Sequence, residues 1–151
     1  MRTRVAIVCG GRNLQAPDGA FVRSAAMLAV TLRRVLELTA TTCVRHGDAP
    51  GADQIANRVA RALGLDVDPV PADWSIGRGG GPRRNAAMLR REPIPELVIA
   101  LPGEDGTADM MAKAADAGLP RIVIDYDGPR LVIAEADLGS WAWARQVVNG
   151  P

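Results

Sequence analysis

Val5-Ala6-Ile7-Val8-Cys9 is an unbroken apolar run, and Gly10-Gly11-Arg12-Asn13 follows it at once. A strand covered by helices on both faces reads as continuous hydrophobicity rather than as alternation. The run therefore predicts the central strand of a parallel sheet. A second run, Leu97-Val98-Ile99-Ala100-Leu101, ends in Pro102-Gly103-Glu104-Asp105-Gly106-Thr107. Each turn leads into a helical pattern. Two such turns at the carboxyl ends of two strands mark where an open α/β sheet holds its ligand, the point at which chain direction around the sheet reverses.

Working outward, Pro17-Asp18-Gly19 precedes apolar residues at Ala20, Ala25, Leu28, Leu32 and Leu36, a helical rhythm that lasts to Thr39. Thr42-Cys43-Val44-Arg45 reads as the second strand, and Ala52, Ile55, Ala56, Val59, Ala60 and Leu63 as one face of a helix capped by Gly64. The third strand is expected over 65–70. The glycine-rich stretch 71–81 reads as a loop, after which Pro82 opens a helix through 91. Gly106-Thr107 opens another helix through 117, and Ile122-Val123-Ile124 is the fifth strand. With right-handed crossovers, this alternation predicts a Rossmann-like three-layer α/β sandwich whose mainly parallel sheet has the order 3-2-1-4-5. The domain is expected over 1–125. Residues 126–151 are expected as a C-terminal extension packed on it, with an added edge strand at 131–134 and a helix or strand at 141–148. Trp141 and Trp143 in that tail suit packing or self-association.

At 151 residues with 48% hydrophobic content, the chain can build a single core. A net charge of +1 supplies no general pull towards nucleic acid or an anionic membrane. Cys9 and Cys43 do not suit a secreted disulfide scaffold and read as reduced thiols. The amino-terminal apolar run is too short for a signal-peptide core or a membrane span, so a cytoplasmic protein without membrane contact is expected. His46 is the only histidine, which argues against a zinc site. Neither a metal nor a cofactor is expected, and the absence of a complete GxGxxG pattern argues against ordinary NAD binding.

The site residues follow from the turns. Backbone amides at Gly10 and Gly11 and the fork of Arg12 suit one phosphate, while Pro102, Gly103, Gly106 and Thr107 form a second polar turn at a helix start. In His46-Gly47-Asp48-Ala49-Pro50-Gly51-Ala52-Asp53, the candidate contacts are Gly47, Asp48 and Asp53, the last two suiting ribose hydroxyls. Arg83 and Asn85 enter a helix whose positive end favours anions and are expected to close over the ligand. Trp74 suits either stacking on a base or capping the core under a loop, and the cap is the preferred reading. A nucleotide-like small molecule is the expected partner.

The ordered motifs GGRN, HGDAPGAD, PADW, GGGPRRNAAML and LPGEDGTADM, over about residues 4–125, resemble those of the SLOG superfamily, in particular its YspA-related (cpYpsA-related) branch found in bacteria and phages. The resemblance implies a Rossmann-like domain that binds, senses or processes nucleotides or nucleotide-derived ligands such as an ADP-ribose-like molecule. The Lonely Guy phosphoribohydrolases carry a similar PGGxGTxxE, matched here by Pro102, Gly103, Gly106 and Thr107. Met110 stands where that pattern has its glutamate. Asp109, one residue early and about 100° away around a helix, is the candidate catalytic residue for an alternative activity, hydrolysis of the N-glycosidic bond of a nucleoside monophosphate. DNA-processing protein A also has similar segments. It makes single-stranded DNA a third candidate partner, served by Arg78, Arg83, Arg84, Arg90 and Arg91, although aromatics at 3% offer little stacking surface. Relatives that pair through helices imply a homodimer, with the alanine-rich stretch 25–30 as the candidate surface.

Overall fold

A computed structural model describes residues 2–14, 21–134 and 137–150, with the backbone alone for 21–24. The expected Pro17-Asp18-Gly19 turn and Ala20 lie outside the described residues. Strand β1 is Val5–Cys9, and all five of its residues are buried. Side chains alternate across a strand, so Ala6 and Val8 join one core cluster while Ile7 and Cys9 join another on the opposite face. This two-sided burial is what the unbroken apolar run required.

Helix α1 (Phe21–Leu38) buries Leu28, Leu32, Val35 and Leu36 at helical spacing on the first face, beside α2 (Ala52–Ala62), which adds Ile55, Ala56, Val59 and Ala60. Helices α3 (Gly80–Arg90) and α4 (Asp105–Asp116) cover the second face through Met88, Met110 and Ala114. Strands β2 (Cys43–His46), β3 (Asp66–Pro69), β4 (Leu97–Ala100) and β5 (Arg121–Asp127) complete the parallel part. Strand β6 (Arg130–Ala134) pairs antiparallel with β5, giving the order 3-2-1-4-5-6. The fold is a Rossmann-like sandwich, with the switch point between β1 and β4.

Several local expectations need correction. Pro82 does not begin its helix; α3 starts at Gly80, and a 3₁₀ segment at Trp74–Gly79, kinked at Gly77, occupies the expected loop. Asp73 makes that segment, its Oδ1 accepting from the Ser75 amide at 3.0 Å. The tail forms helix α5 (Ala142–Asn149), tied to β6 by Asn149, whose Oδ1 accepts from the Ile133 amide at 2.6 Å and whose Nδ2 donates to the Ile133 carbonyl at 2.9 Å. Trp141 packs against the first cluster under the Arg4 guanidinium, whereas Trp143 is half exposed. The stretch 25–30 is not one outward face: Leu28 is fully buried while Val30 is exposed. Among the described residues no helix is long and apolar enough to cross a membrane.

Candidate functional site

The loops after β1 and β4 are pressed together, and glycine permits it. A Cβ on Gly10 would stand 2.6 Å from Ala52 Cβ and 2.9 Å from Leu101 Cβ, so the start of α2 and the end of β4 could not both close on it. A Cβ on Gly103 would overlap the Thr107 hydroxyl and lie 2.8 Å from the Gly11 nitrogen. Backbone bonds lock the arrangement: the Gly11 amide donates to Pro102 O at 2.7 Å, and the Ala52 amide donates to Gly11 O at 3.0 Å. The Gly11 N–H is therefore spent inside the protein rather than bared for a phosphate, a correction to the simple reading of the glycine pair. The amides opening α4 are different. That helix starts at Asp105, its first-turn N–H groups have no intrahelical partner, and the N-cap residue Glu104 supplies no side-chain cap.

Between these loops lies a cavity of about 680 Å³, within the range of roughly 300–1,000 Å³ usual for small-molecule sites. Gly10, Gly11, Arg12, Gly47, Asp53, Asn85, Pro102, Gly103, Gly106, Thr107 and Asp109 all line it. The sequence reading singled out two residues that do not. Arg83 is exposed on α3, whose buried face carries Gly81, Asn85 and Met88, and the next residue, Arg84, is the one rotated into the cavity wall. Asp48 faces outward from a left-handed turn with φ of 56° and accepts from Gln54 Nε2 at 3.3 Å. Counting from Met88 in steps of four, as a helix face requires, selects Arg84; the sequence argument used only charge.

Arg84 is held from several sides. Its Nη1 donates to Gly47 O at 2.6 Å, and its Nε donates to Asn85 Oδ1 at 3.1 Å. Gly47 leaves the space it needs, since any Cβ there would overlap this guanidinium. Burial, together with the neighbouring Arg12, pulls the Arg84 pKa down, while Asp53 pushes it up.

Asp53 is buried at the start of α2, where its Oδ2 accepts from the Ala49 amide at 3.1 Å. Burial raises its carboxyl above the ordinary range despite the opposing pull of amides, His46 and Arg84. Cys9, at the cavity floor, is pushed up to about 12 by burial and by Asp53. It stays a thiol at neutral pH and is a poor nucleophile. His46 is committed to structure: Nδ1 accepts from the Asp48 amide at 3.0 Å and Nε2 meets Asn57 Oδ1 at 3.2 Å. Among the described residues no cluster of three or more His, Cys, Asp or Glu side chains is placed to hold a metal.

Asn85 and Asp109 join α3 to α4. Asn85 Nδ2 donates to Gly106 O at 3.2 Å and to Asp109 Oδ2 at 3.0 Å, while Lys113 Nζ lies 2.5 Å from Asp109 Oδ1. Burial alone would raise the Asp109 pKa, but the hydrogen bonds from Lys113 and Asn85 and the Lys113 charge hold it below the usual carboxylate range. Met110 is fully buried against the sheet. Trp74, for which a cap on the core is the preferred expectation, is half exposed in the cavity lining with the Arg12 guanidinium over its ring.

No protein-family model matches the chain. Two solved structures share its fold. The X-ray structure of TM1055, a Northeast Structural Genomics Consortium target, is 19% identical with a TM-score of 0.59, over 80% of this chain and 73% of that one. The Moco Carrier Protein from Chlamydomonas reinhardtii is 16% identical with a TM-score of 0.53, over 81% of this chain and 76% of that one. A sequence relative is nearer: the Gene 61 protein of Mycobacterium phage D29 is 40% identical over an 85-residue alignment that covers 52% of this chain and 68% of the phage protein. That identity and coverage place the chain in the family of the Mycobacterium phage D29 Gene 61 protein.

Proposed function

We propose that the cavity binds a nucleotide or nucleotide-derived molecule of the ADP-ribose kind, as a sensor or processor related to the SLOG superfamily and its YspA-related branch. One observation carries the reading. At the switch point of the sheet, uncapped helix amides, the cations Arg12, Arg78 and Arg84, and the buried acceptor Asp53 line a single cavity. Amides and guanidinium groups complement phosphate, and a buried carboxylate with a free lone pair complements vicinal hydroxyls of a sugar. A fold neighbour named as a carrier of Moco is in keeping with a ligand-holding role.

Small molecules released by denaturing the gently purified protein identify the ligand by mass spectrometry. A phosphorylated nucleoside derivative is the expected result, and adding it back should raise stability by about 2.7 kcal/mol at 100 times its dissociation constant. Purified protein that carries no such compound, and whose unfolding is unmoved by AMP, ADP or ADP-ribose, would sink the proposal.

A second reading rests on Asp109, whose carboxylate stands in the cavity wall. Held ionised by Lys113 and Asn85, it suits stabilising a cationic sugar centre or attacking it, and not protonating a leaving base. Release of free base from nucleoside monophosphates, abolished in Asp109→Asn, is the outcome that this reading requires.

A further inference from the structure

Among the described residues lining the cavity Trp74 is the one aromatic ring, and it is 52% exposed, so burial in the core does not set its position. The backbone around it does. The Asp73 turn fixes the start of the 3₁₀ segment, and Gly81 at the start of α3 gives the indole room: a Cβ there would stand 3.0 Å from Trp74 Cη2. On the cavity side, the Arg12 guanidinium carbon lies 5.3 Å from the ring centroid. Arg12 belongs to the loop between β1 and α1 and Trp74 to the segment between β3 and α3, so their contact joins connections that lead to helices on opposite faces of the sheet.

We infer that Trp74 is the subsite for the planar base of the bound nucleotide, and that Arg12 covers the indole face until the base replaces it. This rests on the nucleotide reading of the cavity. A cation over an exposed indole is held more weakly than a stacked base, which makes the exchange favourable. The displaced guanidinium remains on the cavity rim, within the same wall as Arg84 and the first turn of α4, where it meets the phosphate. The half-exposed indole in the cavity lining is accessible for this role. Gly81 beneath it leaves room for the ring.

Calorimetric titration with AMP, adenosine and ribose 5-phosphate tests the assignment on the full chain and on three variants. Trp74→Ala should weaken AMP binding about ten-fold or more and leave ribose 5-phosphate unchanged, and Trp74→Phe should recover most of the loss. Arg12→Ala should weaken AMP and ribose 5-phosphate but leave adenosine binding equal or tighter, because the indole face is then uncovered. AMP affinity that is unaltered in Trp74→Ala overturns the base subsite while the cavity reading stands. An equal loss for AMP and ribose 5-phosphate in Trp74→Ala overturns it too, as a sign of general distortion. Wild-type protein that binds none of the three probes overturns the subsite together with the nucleotide reading.

Discussion

Replacing Arg45 with methionine removes the most heavily bonded cation among the described residues. Arg45 lies on β2 with no exposed surface, and its guanidinium donates to Asp68 Oδ2 at 2.8 Å, Met88 O at 2.8 Å, Arg91 O at 3.0 Å and Pro93 O at 2.9 Å. Two of those carbonyls belong to the end of α3 and its cap, where a positive charge complements the helix dipole and the last carbonyls lack intrahelical donors. Methionine fills similar length but donates nothing. Three carbonyls and one carboxylate lose a charged partner, although Asp68 keeps Arg91 at 3.2 Å. Breaking a buried pair of this kind costs about 3–5 kcal/mol, a large share of the roughly 5–15 kcal/mol that holds a domain together. At roughly 2–4 °C per kcal/mol for a chain of this size, the melting temperature should fall by about 6–20 °C. Urea unfolding followed by circular dichroism measures the free-energy loss, with the midpoint lowered and the slope unchanged. A loss below about 1 kcal/mol would refute the claim that these bonds anchor α3, and with it the rigid placement of Arg84 and Asn85 on that helix.

Glycine substitutions should separate close packing from idle flexibility. Gly10→Ala should cost about 1–3 kcal/mol in thermal unfolding because its methyl meets Ala52 and Leu101, whereas Gly79→Ala, helical in backbone and facing open space, should be neutral or stabilising by up to about 1 kcal/mol. Arg84→Ala should weaken ADP-ribose binding about ten-fold or more in calorimetry, the loss of a charge-assisted bond; Arg83→Ala, outside the cavity, should leave it unchanged. Asp53 has a raised native pKa, so the folded state holds its proton more tightly than the unfolded chain. Its ionisation then costs stability that is absent below the ordinary carboxylate pKa and grows as pH rises through the native one. Asp53→Asn should therefore match wild type near roughly pH 4 and exceed it in melting temperature at pH 7, while binding the nucleotide more weakly. A variant that is less stable at pH 7 than in acid, each relative to wild type, would contradict this sign.

The alternation of short apolar runs and helical faces was legible because β1 and β4 are buried on both sides, and only residues such as Val5, Ala6, Ile7, Val8 and Leu97, Val98, Ile99, Ala100 can fill such positions. The two turns at the switch point were legible for a related reason: strand-to-helix turns that touch each other admit little besides glycine, and Gly10, Gly11 and Gly103 stand in them. The tertiary structure alone decided which side chains face the cavity. Arg84 was chosen over Arg83 by the roll of α3, set by Met88 and Asn85 packing under the sheet and against α4. It moved Trp74 to the mouth, because an Asp73 turn and a kink at Gly77 replace a featureless loop. It spent the Gly11 amide on Pro102 and left the first turn of α4 without a side-chain cap. Local composition dictates how each segment can be buried, since burial is a property of residues and their period. Which donors and charges converge on one ligand depends on contacts between segments distant in sequence, such as Arg84 with Gly47 and Arg12 with Trp74, and no local pattern records them.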